Sequence, residues 1–413
     1  SSVEDMSWMF WEASDFNQPL DAWDTSSVID MSNMFWGASR FDQPLSSWDT
    51  SRVTTLSLTF SYAVAFNQDL SSWDVGGVSD FAYTFGGSNE YAMLFNQDLN
   101  GWNVSGAKRM LSMFRRNTRY NHPLDGWDLS ACSSTADMFW DAPLFDQDLN
   151  GWDVSQIKDM KQMFRGATAF NRSLHDWVTS STTDMSLMFF GASSFDQDID
   201  GWNTSSTVDT SKMFAGATEF NQPLNAWDTS GVTTMSEMFR SASNFDQELS
   251  GWSTASVTSF GLGRMFEDAV RFNQDLNGWD VTPIANFEKM FHDAASFNRP
   301  LNGWDTSNAD NMQSIFNGAN SFDQPLASWN VAGVVIPDHF RFIFAATNMS
   351  RCALNQTSES WIEQSALWST MCTEQVVVGL PYCPTANNCP APPQSSVSPF
   401  PPPPSPSPPP PSP

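Results

Sequence analysis

An α/β solenoid is the fold the sequence predicts, and three observations predict it. Tryptophans recur at Trp23, Trp48, Trp73, Trp102, Trp127, Trp152, Trp177, Trp202, Trp227, Trp252, Trp279, Trp304 and Trp329, 25 residues apart except for one step of 29 and one of 27. An aromatic stands seven residues before each, from Phe16 to Phe322, with Tyr120 the only non-Phe, and a Leu (Ile199 once) stands three before. A further Phe precedes most of them by thirteen, as at Phe10, Phe35, Phe60, Phe114 and Phe316. A fixed period of this length is the mark of stacked repeats.

The unit reads S-x-V-x-x-M-S-x-M-F-x-x-A-x-x-F-N/D-Q-x-L-x-x-W-D-T, and thirteen copies fill residues 1–332. Ser26, Ser51, Ser105, Ser130, Ser155 and Ser230 each precede an apolar pattern such as Val28, Met31, Met34, Phe35. Ser before such a run is a helix N-cap signal, so V-x-x-M-x-x-M-F predicts a short helix or 3-10 turn. After a small residue (Ala38, Ala63, Ala167, Ala242), the segment F-N-Q-x-L-x-x-W predicts a short strand paired with its copy one repeat along. The expectation is a leucine-rich-repeat-like solenoid of about 13 coils, with one short strand and one short helix or 3-10 turn per coil. The longer steps come from extra residues in Gly86–Leu94 and Phe260–Gly263, expected to bulge as loops without breaking the stack.

Val, Met, Phe, Leu and Trp at fixed offsets predict columns of core side chains. The residue after the second Phe is always Asn or Asp: Asn17, Asp42, Asn67, Asn96, Asn121, Asp146, Asn171, Asp196, Asn221, Asp246, Asn273, Asn298 and Asp323. A small amide or acid repeated in this way satisfies backbone groups at a turn. The Asp members never fall in adjacent coils, which avoids carboxylate repulsion. A calcium ladder is the sharper alternative, but the dense D-x-D-x-D-G loop is missing. His122, His175, His292 and His339 stand at different offsets and form no ligand spacing. No phosphate-binding, dinucleotide-binding or nucleophile-elbow motif occurs, so no catalytic residue, metal or cofactor is expected and the chain reads as a non-enzyme.

With 19 Lys and Arg against 46 Asp and Glu, the net charge of −27 argues against nucleic acid or an anionic membrane as partner. No apolar run approaches the roughly 20 residues of a membrane span. Neither a signal peptide nor an initiator Met is visible, which reads as a mature or trimmed chain.

Cys132 takes the Val28 offset and is expected to be a buried free thiol. Cys352, Cys372, Cys383 and Cys389 follow the last repeat. Of the three possible pairings, Cys352–Cys372 with Cys383–Cys389 is the choice. Together they would staple an irregular cap over 333–389 in an oxidising compartment. N-x-S/T triplets at Asn103, Asn203, Asn348 and Asn355 are candidate N-glycosylation sites. Asn171 makes a fifth, a ladder position expected to be buried. Residues 390–413 are proline-rich and predict polyproline II. Ser1-Ser2-Val3 has the phase of Ser26-Ser27-Val28, so residue 1 stands at a coil boundary. An open first coil of this kind, covered by the C-terminal region of the next copy, would build a head-to-tail homopolymer.

The repeat resembles the 25-residue repeat of BspA-like surface proteins and mycoplasma-type lipoproteins. That resemblance implies a leucine-rich-repeat-like solenoid on an extracellular surface, with adhesion or interaction roles, and it carries no catalytic residues. The tail S-P-F-P-P-P-P-S-P-S-P-P-P-P-S-P from Ser398 is similar to hydroxyproline-rich cell-wall glycoproteins of plants and green algae. This second resemblance implies hydroxylation and O-linked sugars at Pro401, Pro402, Pro403, Pro404, Pro408, Pro409, Pro410 and Pro411. The functional expectation is a secreted or cell-surface glycoprotein that acts as a structural filament subunit. A monomeric adhesin, or protein- or glycan-binding module, is the alternative. Exposed apolar surface at the ends would mark the first, and along one long face the second.

Overall fold

The computed structural model describes residues 3–88, 90–365 and 368. The coils stack in register, but the α/β assignment is overturned. Among the described residues there is no extended strand, and the helices are a 3-10 turn at Pro337–Phe340 and one α-helix, α1, at Arg351–Gln364. The rod is a stack of turns, so the leucine-rich-repeat expectation of a strand and a helix per coil does not hold.

The backbone shows why. In the coil of Met31, the amides of Met34, Trp36 and Ala38 close local turns onto Met31, Asn33 and Phe35 at 3.0–3.2 Å. The alternate amides of Asn33, Phe35 and Gly37 donate across to Ser57, Thr59 and Ser61 of the next coil at 2.8–2.9 Å. Half the donors of the segment therefore serve a turn and half serve a sheet-like contact, so neither helix nor strand can propagate. Left-handed residues, two in nearly every coil, enforce this: one series runs Trp8, Asn33, Leu58, Tyr83, and another Glu12, Gly37, Tyr62, with φ between +54° and +71°. Each is the third residue of a tight turn, where a type II turn requires positive φ. A non-glycine residue there costs about 1–2 kcal/mol, which the stacking of thirteen coils must offset.

The serines expected as N-caps do something else. Ser26, Ser51 and Ser230 donate both amide and hydroxyl to the Asp two residues earlier, at 2.6–3.1 Å. These are Asx turns, in which a side-chain oxygen mimics a backbone acceptor. The predicted strand is also absent. Its Asn/Asp amides find a side-chain oxygen and not a carbonyl, and Trp48 turns back onto Leu45 at 3.1 Å. Sheet-like pairing shrinks to single-residue parallel bridges, a column from Asp5 through Asp30 and Thr55 to Thr234, resumed at Asn286–Asn311. The gap falls at the insertion of Phe260–Gly263.

Three aromatic columns fill the rod. Phe35 stacks on Phe60 at 5.5 Å, Phe41 on Phe66 at 5.8 Å and Trp48 on Trp73 at 6.3 Å, with the same contacts repeated along the axis. Each repeat Trp from Trp48 to Trp329 also donates its indole N–H to the Leu or Ile carbonyl of the coil before, as Trp48 does to Leu20 at 3.0 Å. The polar ladder is continuous. The amide of Asp42 donates to Asn17 Oδ1 at 3.0 Å, that of Asn67 to Asp42 Oδ1 at 2.9 Å, and so on to Asp323 on Asn298 at 2.9 Å. The Gln that follows most rungs donates to the same oxygen, as Gln43 does to Asn17 at 2.9 Å.

Beyond the thirteenth repeat, His339, Arg341, Ile343 and Ala345 accept amides from Met312, Ser314, Phe316 and Gly318 at 2.8–3.1 Å, adding a half coil. α1 then covers the stack. Thr357 Oγ1 accepts the Leu326 amide at 2.9 Å, and Gln364 Oε1 accepts that of Val331 at 3.0 Å.

Candidate functional site

Offsets that repeat build the core, so a site must come from offsets that vary. The two positions after each M-F pair lie on one long face of the rod, and they change character along it. The first coils carry Trp11, Trp36 and Tyr62, the middle ones Arg115, Arg116, Trp140, Arg165 and Phe190, and the later ones Arg240, Glu267, His292 and Asp293.

In the middle stretch the side chains interleave. The Arg115 guanidinium lies 3.8 Å from the Trp140 ring centroid, Arg165 lies 4.5 Å from the same ring, and Arg165 is 5.0 Å from Phe190. Trp140 is thus held between two cations, one from the coil on either side. Arg115 also donates to the Tyr83 hydroxyl at 3.5 Å, and Arg116 pairs with Asp141 at 2.8 Å. All are half-buried, and the Nε atoms of Arg115 and Arg116 are buried with no partner among the described residues. Cation–π contacts of this kind contribute about 0.5–2 kcal/mol each and hold aromatic faces in fixed orientation.

Nearer the first coil, Trp11 stacks on Trp36 at 5.3 Å, Trp36 meets Tyr62 edge to face at 4.9 Å and 90°, and Tyr62 meets Tyr91 at 6.1 Å and 61°. Tyr91 belongs to the first insertion, so that bulge supplies a wall of a pocket. The pocket has a volume of about 510 Å³ and is lined by Glu12, Ser14, Trp36, Gly37, Ser39, Tyr62, Ser88 and Tyr91. Its size falls within the range of small-ligand sites.

Further along the face, ion pairs replace aromatics: Lys212 and Arg240 both reach Glu237, Arg264 reaches Glu288, and Lys289 reaches Glu267, at 2.6–3.3 Å. Asp268, His292 and Asp293 bring ligand-type atoms within 4.8 Å of one another. The sequence reading found no histidine cluster, because these three meet only once coils stack.

The family described as Mycoplasma protein of unknown function, DUF285, matches residues 1–94, 89–177, 168–262 and 260–361. The chain belongs to this family. No curated protein and no solved structure matches it. In this DUF285 member the matches span the repeat columns, and the family's description assigns no chemistry to the variable face.

The candidate residues from the sequence are scattered. Asn103 and Asn203 are exposed, and their Oδ1 atoms accept the hydroxyls of Ser105 and Ser205 at 2.8 and 2.7 Å. Each is the amide version of the Asp-x-Ser turn, which explains how the triplet arises. Asn171, expected to be buried, is exposed, with its Oδ1 taken up by the amide of Asp196 and the side chain of Gln197. Asn348 is exposed, and Asn355 lies in α1, where Thr357 of its triplet is buried. Cys132 is a buried free thiol, and burial pushes its pKa up. Cys352 is the second residue of α1. Cys372, Cys383, Cys389 and Pro401 to Pro411 lie outside the described residues. No helix among the described residues is long and apolar enough to cross a membrane.

Proposed function

We propose that this chain is a non-catalytic binding module of adhesin type, secreted or held at a cell surface, whose working surface is the long face after the M-F pairs. The observation that carries this reading is the stack Arg115–Trp140–Arg165–Phe190. It is half-exposed and rigidly oriented, and it sits on offsets that the core does not need. Trp, Tyr and Arg are the side chains that dominate protein recognition surfaces. Exposed Asn103, Asn203 and Asn348 would carry covalent glycans away from these variable offsets.

The head-to-tail filament is the second reading, in which Trp8, Met9, Trp11 and Trp23, exposed in this structure, would meet the next copy. Direct coil-on-coil stacking would also need an open last coil, and α1 covers that coil.

The test is attachment of the labelled, glycosylated protein to cells or extracellular matrix. Trp140→Ala and the pair Arg115→Ala with Arg165→Ala should each cut attachment about tenfold while leaving the melting transition of the rod in place. Undiminished attachment would sink the reading. Micromolar filaments in electron micrographs that persist in Trp140→Ala would put the filament in its place.

A further inference from the structure

We propose that the pocket between Glu12, Trp36, Tyr62 and Tyr91 binds an alkylated ammonium group, of the kind carried by choline headgroups and by trimethylated lysine. The inference rests on the binding-face reading above and names a ligand class for one part of that face.

Ring orientation comes first. Trp36 and Tyr62 are perpendicular, and Tyr91 is inclined by 61° to Tyr62. A sugar presents an apolar C–H face and stacks it on one open aromatic face. Here Trp36 already has Trp11 stacked on it, and the three lining rings share no plane. Three rings at different inclinations line the pocket, and a ring face left open to such a pocket attracts a compact cation.

Charge points the same way. Glu12 lines the pocket, and its carboxylate forms no ion pair among the described residues. No Lys or Arg lines the pocket, and Arg40, beside Ser39, is held by Asp15 at 2.8 Å. The other polar groups are the side chains of Ser14, Ser39 and Ser88, neutral partners for the chain that bears the cation. With a net charge of −27, the surrounding field favours a cation over an anion or a neutral ligand.

The insertion completes the pocket. Ser88 donates its amide to the Tyr91 carbonyl at 3.0 Å, and a Cβ on Gly87 would collide with that same carbonyl. Gly87 is therefore a positioning residue, which lets the chain fold back and bring Tyr91 opposite Tyr62.

Calorimetric titration of the intact protein with choline, with trimethyllysine and with 3,3-dimethylbutanol tests the proposal. The last has the shape of choline without its charge. The cations should bind at least about tenfold more tightly than the neutral isostere. Glu12→Gln should weaken choline binding by about fivefold, Gly87→Ala and Tyr62→Ala should weaken it further, and a change at exposed Leu144, Leu144→Ala, should leave it unchanged. Phosphatidylcholine vesicles and trimethyllysine peptides then distinguish the two sources of the group. No binding of either cation by the wild-type protein overturns the proposal, as does equal binding of the isostere, or binding of neutral saccharides in place of cations. Because these titrations read only the pocket, they fail independently of the attachment assay, which reads the Trp140 stack. The wild-type comparison of choline with its isostere holds even if a variant folds poorly.

Discussion

The indole N–H of Trp361 donates to the carbonyl of Leu326 at 3.1 Å, the bond that Trp329 makes to Leu301 at 2.9 Å one coil earlier. The ladder is imitated as well, since the amide of Ser350, not of an Asn or Asp, donates to Asp323 at 2.6 Å. α1 thus closes the stack by occupying the hydrogen-bonding positions of a further coil, with Trp361 packed on Phe344 at 5.9 Å.

Trp361→Ala should cost the capping unit about 3–5 kcal/mol. In a solenoid, coils couple mainly to their neighbours, so the damage should stay at that end. Hydrogen exchange is the check. The amides of Leu326 and Val331, which α1 side chains now hold, should exchange much faster, while those near Trp177 keep their protection. Uniform loss of protection along the rod would show that α1 is no local cap.

Tyr120 interrupts a column of Phe rings, and its hydroxyl is buried without a partner among the described residues. Burial, with the charge of Asp98 as a lesser cause, pushes the phenol pKa well above its usual value. A buried hydroxyl that finds no partner costs about 1–3 kcal/mol. Tyr120→Phe should therefore raise the melting temperature, by about 1 kcal/mol in stability or more, with no change in fold. A destabilised variant would mean that the hydroxyl has a partner after all.

Much of the architecture was legible because the core repeats. Phe35, Leu45, Trp48 and their copies in the later coils were predicted as columns and are buried. The Asn/Asp ladder serves backbone amides, and Cys132 is a buried thiol. The turn architecture was hidden because the spacing of Val28, Met31, Met34 and Phe35 imitates a helical face. Its left-handed breaks fall on Asn33, Leu58 and Tyr83, residue types that announce nothing. Only Gly37, Gly166, Gly191, Gly216 and Gly318 mark the second break. The candidate site was less legible still. Arg115, Trp140 and Arg165 are 25 residues apart and meet only through stacking, and Tyr91 lies in an insertion with a plain reading as a neutral bulge.

Acid should act on this rod in two opposite ways. Asp24, Asp49, Asp128, Asp228 and Asp305 are held below the usual 3.8 by hydrogen bonds from the Ser two residues on. Their contribution is present above pH 3.8 and is lost as pH falls through their folded values. Burial pushes Asp137 and Asp159 above 3.8, so the folded state binds those protons more tightly and gains stability as pH falls through their folded values. Asp137→Asn keeps an oxygen for Gln162, which donates to Asp137 Oδ1 at 3.0 Å. The variant should melt higher than the wild type at neutral pH, and the advantage should vanish near pH 3.8. An advantage independent of pH would assign the gain to packing.

The spacing of Asp along the ladder can be tested with two chemically identical substitutions. Asn221 accepts the amide of Asp246 at 2.9 Å, and its own amide donates to Asp196 at 2.9 Å, so carboxylates flank it on both sides. Asn96 accepts from Asn121 at 3.1 Å and donates to Asn67 at 2.8 Å, so its neighbours are amides. Asn221→Asp and Asn96→Asp both keep the acceptor oxygen that the next coil needs. Only Asn221→Asp sets three carboxylates in consecutive coils, where like charges repel. These groups are partly solvated, so the expected cost is about 0.5–1 kcal/mol at low salt. It should shrink at high ionic strength, while Asn96→Asp stays close to wild type at every salt concentration. If the two variants lose equal stability, the amide group itself matters, and Asp is spaced along the ladder for a reason other than charge.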